Sequence, residues 1–210
     1  MIAALIRLVT GATARWAGVE PLMPDGSVPR RIYFANHASN LDAPVIWASL
    51  PIELRARTRP VAARDYWEKG PVRRMLAKRV FRAVLIERKK VTAHANPLAD
   101  MEAALEAGDS LILFPEGTRA ADEDADLGEF KPGLWHLARK HPDVQLVPVC
   151  LENMNRILPK GELLLIPLLA AVTFGAPVRR EEGEEKSAFL ERCRRCVAEL
   201  AESCEPGGAA

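Results

Sequence analysis

Long apolar runs are scarce in this chain. No stretch reaches the roughly twenty apolar residues that a helix needs to cross a bilayer. The most apolar stretch, residues 163–174, is short, interrupted by Pro167, and reads as buried strand. Net charge is also small, formally +1, which argues against a dedicated nucleic-acid binder. The cysteines (Cys150, Cys193, Cys196 and Cys204) form no pattern resembling a secreted disulfide framework, so a reducing cytoplasm is expected. Nor does the start read as a secretory leader. Arg7 interrupts its apolar residues, and no cleavage-like site follows.

What is present is apolar mass: 49% of 210 residues, enough for one domain with a sizeable core. The charge is unevenly spread. Residues 52–90 hold thirteen Lys and Arg against four acids, whereas residues 100–129 hold one Arg against ten acids. These could be solvated faces that offset one another, or a basic surface turned toward anionic lipid or a phosphorylated substrate. Cys193, Cys196 and Cys204 fall on one helical face with Phe189, Val197 and Leu200, and no fourth ligand stands at a zinc-like spacing. Apolar packing is expected there.

Along the chain, residues 1–19 read as an amphipathic segment (Ile2, Leu5, Ile6, Leu8 and Val9, with Arg7, Arg15 and Trp16), either interfacial or packed. A Pro- and Gly-rich linker follows to residue 31. Strands are expected at 32–35, 84–86, 111–114 and 145–150, with a short one near 60–63. Helices are expected at 43–50, 65–69, 72–79 and 187–203, and from about 133 to 141. Another begins at Asn96-Pro97, where Asn caps and Pro takes the first helical position. This alternation predicts an α/β fold, a single domain whose central, mostly buried sheet is flanked by helices. Residues 1–31 would form an N-terminal helix and linker, 32–175 the core, and 176–210 a C-terminal amphipathic helix and tail. The acidic stretch 120–129 lacks the Gly and the bidentate Glu of a calcium loop, since Leu127 and Gly133 occupy those places, so no metal is expected.

Two stretches carry chemistry. In the first, Ile32-Tyr33-Phe34-Ala35 breaks into Asn36-His37-Ala38-Ser39-Asn40-Leu41-Asp42, and a helix with Pro44 in its first turn follows. In one continuous helix His37 and Asp42 would lie roughly 140° apart. With His37 in a loop and Asp42 at a helix start, the carboxylate can fold back onto one ring nitrogen. It would then fix the tautomer and leave the other nitrogen free as a general base. In the second stretch, Phe114-Pro115-Glu116-Gly117-Thr118-Arg119 has the makings of an anion receptor at a strand end. Gly117 permits close backbone approach, Thr118 offers a hydroxyl, and Arg119 a planar fork. Glu116 would hold an Arg or bond a ligand hydroxyl. The remaining histidines, His94, His136 and His141, are expected to be solvated or structural.

Together, Asn36-His37-x-Ser39-x-x-Asp42 and Phe114-Pro115-Glu116-Gly117-Thr118-Arg119 resemble the glycerolipid acyltransferase family, whose best-known members acylate lysophosphatidic acid. Ile86-Glu87-Arg88 is similar to the family's second block and Val147-Pro148-Val149 to its fourth, and Phe130-Lys131-Pro132-Gly133 is similar to a further element. One departure stands out: members usually carry Gly six positions before the second-block Arg, where this chain has Arg82.

The resemblance implies transfer of a fatty acyl group from acyl-CoA or acyl carrier protein to the hydroxyl of a lysophospholipid, with no cofactor. Its foremost acceptor is 1-acyl-glycerol-3-phosphate, which would give phosphatidic acid. His37 would be the base, its ordinary pKa of about 6.5 suiting the task, and Asp42 its partner. Arg88 and Arg119 would bind the acceptor phosphate, with Gly117 and Thr118 completing the cradle. Without a Gly-x-Ser-x-Gly elbow, direct transfer is preferred to an acyl-enzyme. The implied location is cytoplasmic, peripheral to the inner membrane face, with no nucleic-acid partner. Other acceptors (glycerol-3-phosphate, another lysolipid or an amino lipid), a thioesterase, and a non-catalytic membrane or acyl-carrier binding module are the alternatives.

Overall fold

Seven strands build one sheet, and the polarity of its strands decides where the loops gather. The computed structural model describes residues 1–87, 96–118, 127–154 and 170–204. In chain order the strands are β1 (Thr13–Trp16), β2 (Arg31–Ala35), β3 (Thr58–Ala63), β4 (Val84–Ile86), β5 (Ser110–Leu113), β6 (Gln145–Glu152) and β7 (Ala171–Phe174). Their spatial order is β1-β7-β6-β2-β5-β3-β4. β6, β2, β5, β3 and β4 run parallel, whereas β7 lies antiparallel to β6 and carries β1 parallel to itself.

Helices cover both faces, as buried parallel strands require. α1 (Ile2–Thr10), α2 (Asp42–Ser49) and α3 (Ile52–Ala56) precede β3. α4 (Arg64–Trp67) and α5 (Pro71–Met75) follow it, with a π-helical turn at Leu76–Val80, and then come α6 (Pro97–Glu106), α7 (Gly133–Lys140) and α8 (Lys186–Cys204).

Strand alternation separates the two cores. Ile32 and Phe34 of β2 point to one side, joining Leu105 of α6, Leu134 and Leu137 of α7, and Phe189 and Val197 of α8. Tyr33 and Ala35 point to the other, joining Val45 and Ile46 of α2, Leu54 of α3 and Phe174 of β7. Every residue of β2 is buried, so this strand is the axis of the fold. Cys193 lies fully buried on the α8 side of the first core, and burial pushes its thiol pKa up to about 12. It is packing, as its helical spacing predicts.

One feature departs from the sequence reading. Residues 13–16 form an edge strand of the sheet rather than helix, so the fold's core extends into the 1–31 segment. They show no alternating pattern, being mostly exposed, and their pairing with β7 comes from far along the chain. Residues 84–86 are strand as expected and lie at the sheet edge. Of the apolar run 163–174, residues 171–174 are strand as expected, and the part up to 169 falls outside the described residues.

At the edge where β3, β4 and β5 begin, a cluster of charges ties the elements together. Asp109, 6% exposed, receives the guanidinium groups of Arg59 at 3.4 Å and Arg82 at 3.1 Å. Arg59 Nε donates to the Arg82 carbonyl, and Arg82 Nη1 to the Ala56 carbonyl. Arg82 holds φ +49°, a left-handed conformation that glycine adopts without strain. A glycine, which the family resemblance leads one to expect there, would take this conformation freely, and the Asp109 contact shows what the arginine supplies instead.

Candidate functional site

At the opposite edge, β2 and β5 end side by side. Phe34 registers with Leu113, so the residues after Ala35 and those from Phe114 onward leave the sheet together. Asn36 fixes the first of these loops. Its amide donates to the Leu151 carbonyl at 2.9 Å and accepts from the Leu151 N–H at 2.8 Å, clamping it to β6. The motif's Asn is thus a brace for the backbone beside the histidine.

Asp42 is fully buried at the first position of α2. One oxygen, Oδ2, receives three donors: the backbone N–H of Ala38 at 2.7 Å, that of Ser39 at 2.8 Å, and His37 Nδ1 at 2.8 Å. Oδ2 already accepts two backbone N–H groups, so in the neutral ring a hydrogen on Nδ1 completes the set and leaves the lone pair on Nε2. The His37 ring stacks on Phe114, centroids 4.3 Å apart and 22° from coplanar. Its side chain is 11% exposed, and among the described residues Nε2 has no hydrogen-bond partner. The arrangement is an imidazole held by a carboxylate at one nitrogen and, among the described residues, open at the other; the contact of Asp42 with one ring nitrogen is the one that the loop-and-helix-start spacing allows.

Glu116 joins the two loops. Its Oε1 accepts from the His37 N–H at 2.9 Å and its Oε2 from the Gly128 N–H at 3.0 Å. Burial raises its pKa from the ordinary glutamate value, only partly offset by these two backbone donors. Among the described residues it meets no arginine. Its visible work is to hold the histidine's own backbone, a role that sequence reasoning did not assign to it.

Gly117 turns the chain at φ +70°, its N–H bonded to the Phe114 carbonyl, and Thr118 is exposed beyond it. Arg88 and Arg119 lie outside the described residues, as does His94. His136 is exposed on α7, and His141 is buried just past its end. Lys131, which carried no role in the sequence reading, lies across Gly117. A Cβ on Gly117 would stand 2.5 Å from its Nζ. The signal in the sequence was the Phe130-Lys131-Pro132-Gly133 element itself, but its proximity to Gly117 is created only by folding. Among the described residues no three His, Cys, Asp or Glu side chains gather as a metal site requires.

The model of the Acyltransferase family matches residues 25–152, which include both loops. The chain belongs to the Acyltransferase family. Curated relatives sharpen the resemblance. A 1-acyl-sn-glycerol-3-phosphate acyltransferase of Cocos nucifera is 29% identical over 189 residues, covering 85% of this chain and 56% of its own length. The enzyme of that name from Limnanthes douglasii is 28% identical over 190 residues, covering 83% and 60%. The chain therefore spans less than two-thirds of the length of these relatives. Among solved structures, the 1-acyl-sn-glycerophosphate (LPA) acyltransferase PlsC of Thermotoga maritima shares the fold. Its TM-score is 0.72 at 20% identity, over 98% of this chain and 78% of that one.

Proposed function

We propose that this chain transfers a fatty acyl group from an acyl thioester to the free hydroxyl of 1-acyl-glycerol-3-phosphate, giving phosphatidic acid. The names of its relatives support the substrate class. The observation that carries the chemistry is the buried Asp42 carboxylate holding His37 by Nδ1 and leaving Nε2 unoccupied. Nε2 takes the hydroxyl proton as the oxygen attacks the thioester carbonyl. A C–O bond forms, the C–S bond breaks through a tetrahedral intermediate, and the imidazolium returns its proton to the leaving thiolate. Asp42 stabilises the imidazolium between these steps. The donor is acyl-CoA or acyl carrier protein, and Arg88 and Arg119 contact the acceptor phosphate, as the family resemblance implies.

The same reading places the protein peripherally on the cytoplasmic face of the inner membrane. Exposed Leu5 and Leu8 on α1, and Val72 and Met75 beside Arg73 and Arg74 on α5, support contact with a lipid surface. No helix among the described residues is long and apolar enough to cross a membrane.

The test is mass spectrometry of products from the purified protein supplied with mixed lysolipids and acyl thioesters. Phosphatidic acid as the dominant product is expected. Free fatty acid formed without acceptor would make it a thioesterase, acylation of a different lysolipid would change the substrate, and lipid binding with no thioester consumed would make it a binding module.

A further inference from the structure

The geometry points to Lys131 as a recognition group for the acceptor's phosphate, an assignment that rests on the phosphorylated-lysolipid reading above. The segment 128–131 is fastened to the Phe114–Gly117 turn at two places and to β2 at a third. The Gly128 N–H donates to Glu116 Oε2, the Lys131 N–H donates to the Pro115 carbonyl at 2.9 Å, and the Phe130 ring packs edge-on against Phe34 at 6.3 Å. The Lys131 backbone is therefore fixed relative to the site, and its side chain runs over the one residue of the turn that has no Cβ. A methyl group on Gly117 would meet Nζ at 2.5 Å and both Cδ and Cε at 2.9 Å. The missing side chain is what lets the ammonium lie there.

That ammonium is exposed and has no carboxylate within ion-pair distance among the described residues. Glu116, the adjacent acid, is turned inward with both oxygens engaged by backbone. The turn thus presents His37, stacked on Phe114, at one end and, at the other, a cation with no carboxylate partner among the described residues. A glycerol phosphate offers the matching pair: a hydroxyl for the base and, a few bonds away, a dianion for the lysine. Lys131 is a positioning and selectivity residue, touching the phosphate and not the reacting atoms.

The test compares wild type with Lys131→Met and Lys131→Arg on two acceptors of the same acyl chain, 1-acyl-glycerol-3-phosphate and 1-acyl-glycerol. Binding of each acceptor is also measured with no donor present. One charge-assisted contact corresponds to about ten- to a hundredfold in affinity. Lys131→Met should lose that much in kcat/KM and in binding for the phosphorylated acceptor, through KM, and stay within about threefold on the neutral one. Lys131→Arg should retain most of the preference. A Lys131→Met variant that lowers both acceptors alike, or neither, overturns the assignment. If wild type fails to acylate 1-acyl-glycerol-3-phosphate, the reading of the reaction falls. Lys131 is then judged by binding alone: a phosphate-dependent affinity lost in Lys131→Met keeps it, and any other result removes it.

Discussion

The two edges of the sheet handle a buried acid in opposite ways. Where β3, β4 and β5 begin, Asp109 is neutralised by two arginines. Where β2 and β5 end, Asp42 is more deeply buried and Glu116 nearly as buried, yet their partners among the described residues are backbone N–H groups and one imidazole. A carboxylate already paired with a guanidinium gains little from a nearby imidazolium. One held by neutral dipoles keeps its negative charge available to favour a proton on the ring. The first arrangement joins elements, and in the proposed reaction the second would also leave a base able to cycle. The difference between them can be measured.

The largest expected effect is at His37. His37→Ala should lower acyl transfer on the order of a thousandfold with the fold intact by circular dichroism, because the ring is anchored by Asp42 and Phe114 and anchors nothing else. A variant keeping most of its turnover would remove the base assignment. Asp42→Asn should follow at roughly a hundredfold or more. It can still accept the backbone N–H groups of Ala38 and Ser39 but offers the imidazolium no charge. Asp42→Ala should add a folding defect, about 1–3 kcal/mol for each buried N–H left without an acceptor, read from urea unfolding. If Asp42→Asn and wild type turned over equally, the two edges would not differ in the way described.

At the other edge the effects should appear in stability and leave kcat unchanged. Arg82 combines a contact to Asp109 with a left-handed backbone, and the two can be separated. Its side chain is about half exposed, so the ion pair contributes at most about 1 kcal/mol. The backbone conformation costs a residue with a Cβ about 1–2 kcal/mol. Arg82→Ala loses the contact and keeps the strain, whereas Arg82→Gly loses both. The glycine variant should therefore be the more stable of the two by about 1 kcal/mol. The reverse order would show that the left-handed turn is not strained.

Both edges were unequally legible in the amino-acid order. His37 and Asp42 could be paired because the polar loop and the helix start lie within a few residues, so local geometry sufficed. The buried strands 32–35 and 111–113 could be read from apolar runs, and the Asn96-Pro97 helix from its cap, which does accept from the Leu98 N–H. What could not be read depends on contacts between distant segments. β1 pairs with β7, β7 reverses the sheet's direction, Glu116 turns inward toward Gly128, and Lys131 crosses Gly117. Each is set by how the sheet closes, and none leaves a periodic pattern in its own segment.

The smallest effect should be a pH dependence at Glu116, and its sign separates the edges again. Among the described residues no arginine or lysine pairs with this acid, and burial raises its pKa in the folded protein above the ordinary value of 4.5. The folded state therefore binds the proton at a pH where the unfolded chain does not. Between the raised pKa and the ordinary one, the contribution to stability grows as pH falls and is lost as pH rises. Glu116→Gln cannot titrate, although it still accepts one backbone N–H and loses the other. The stability difference between wild type and Glu116→Gln should thus shift in favour of wild type as pH is lowered from neutral toward that window, measured by urea unfolding at a series of pH values. An acid whose charge is favoured by its surroundings would shift the difference the other way. A difference that moved against wild type on acidification would mean that the backbone donors of His37 and Gly128 outweigh burial, and that Glu116 is held as a charged group at this edge.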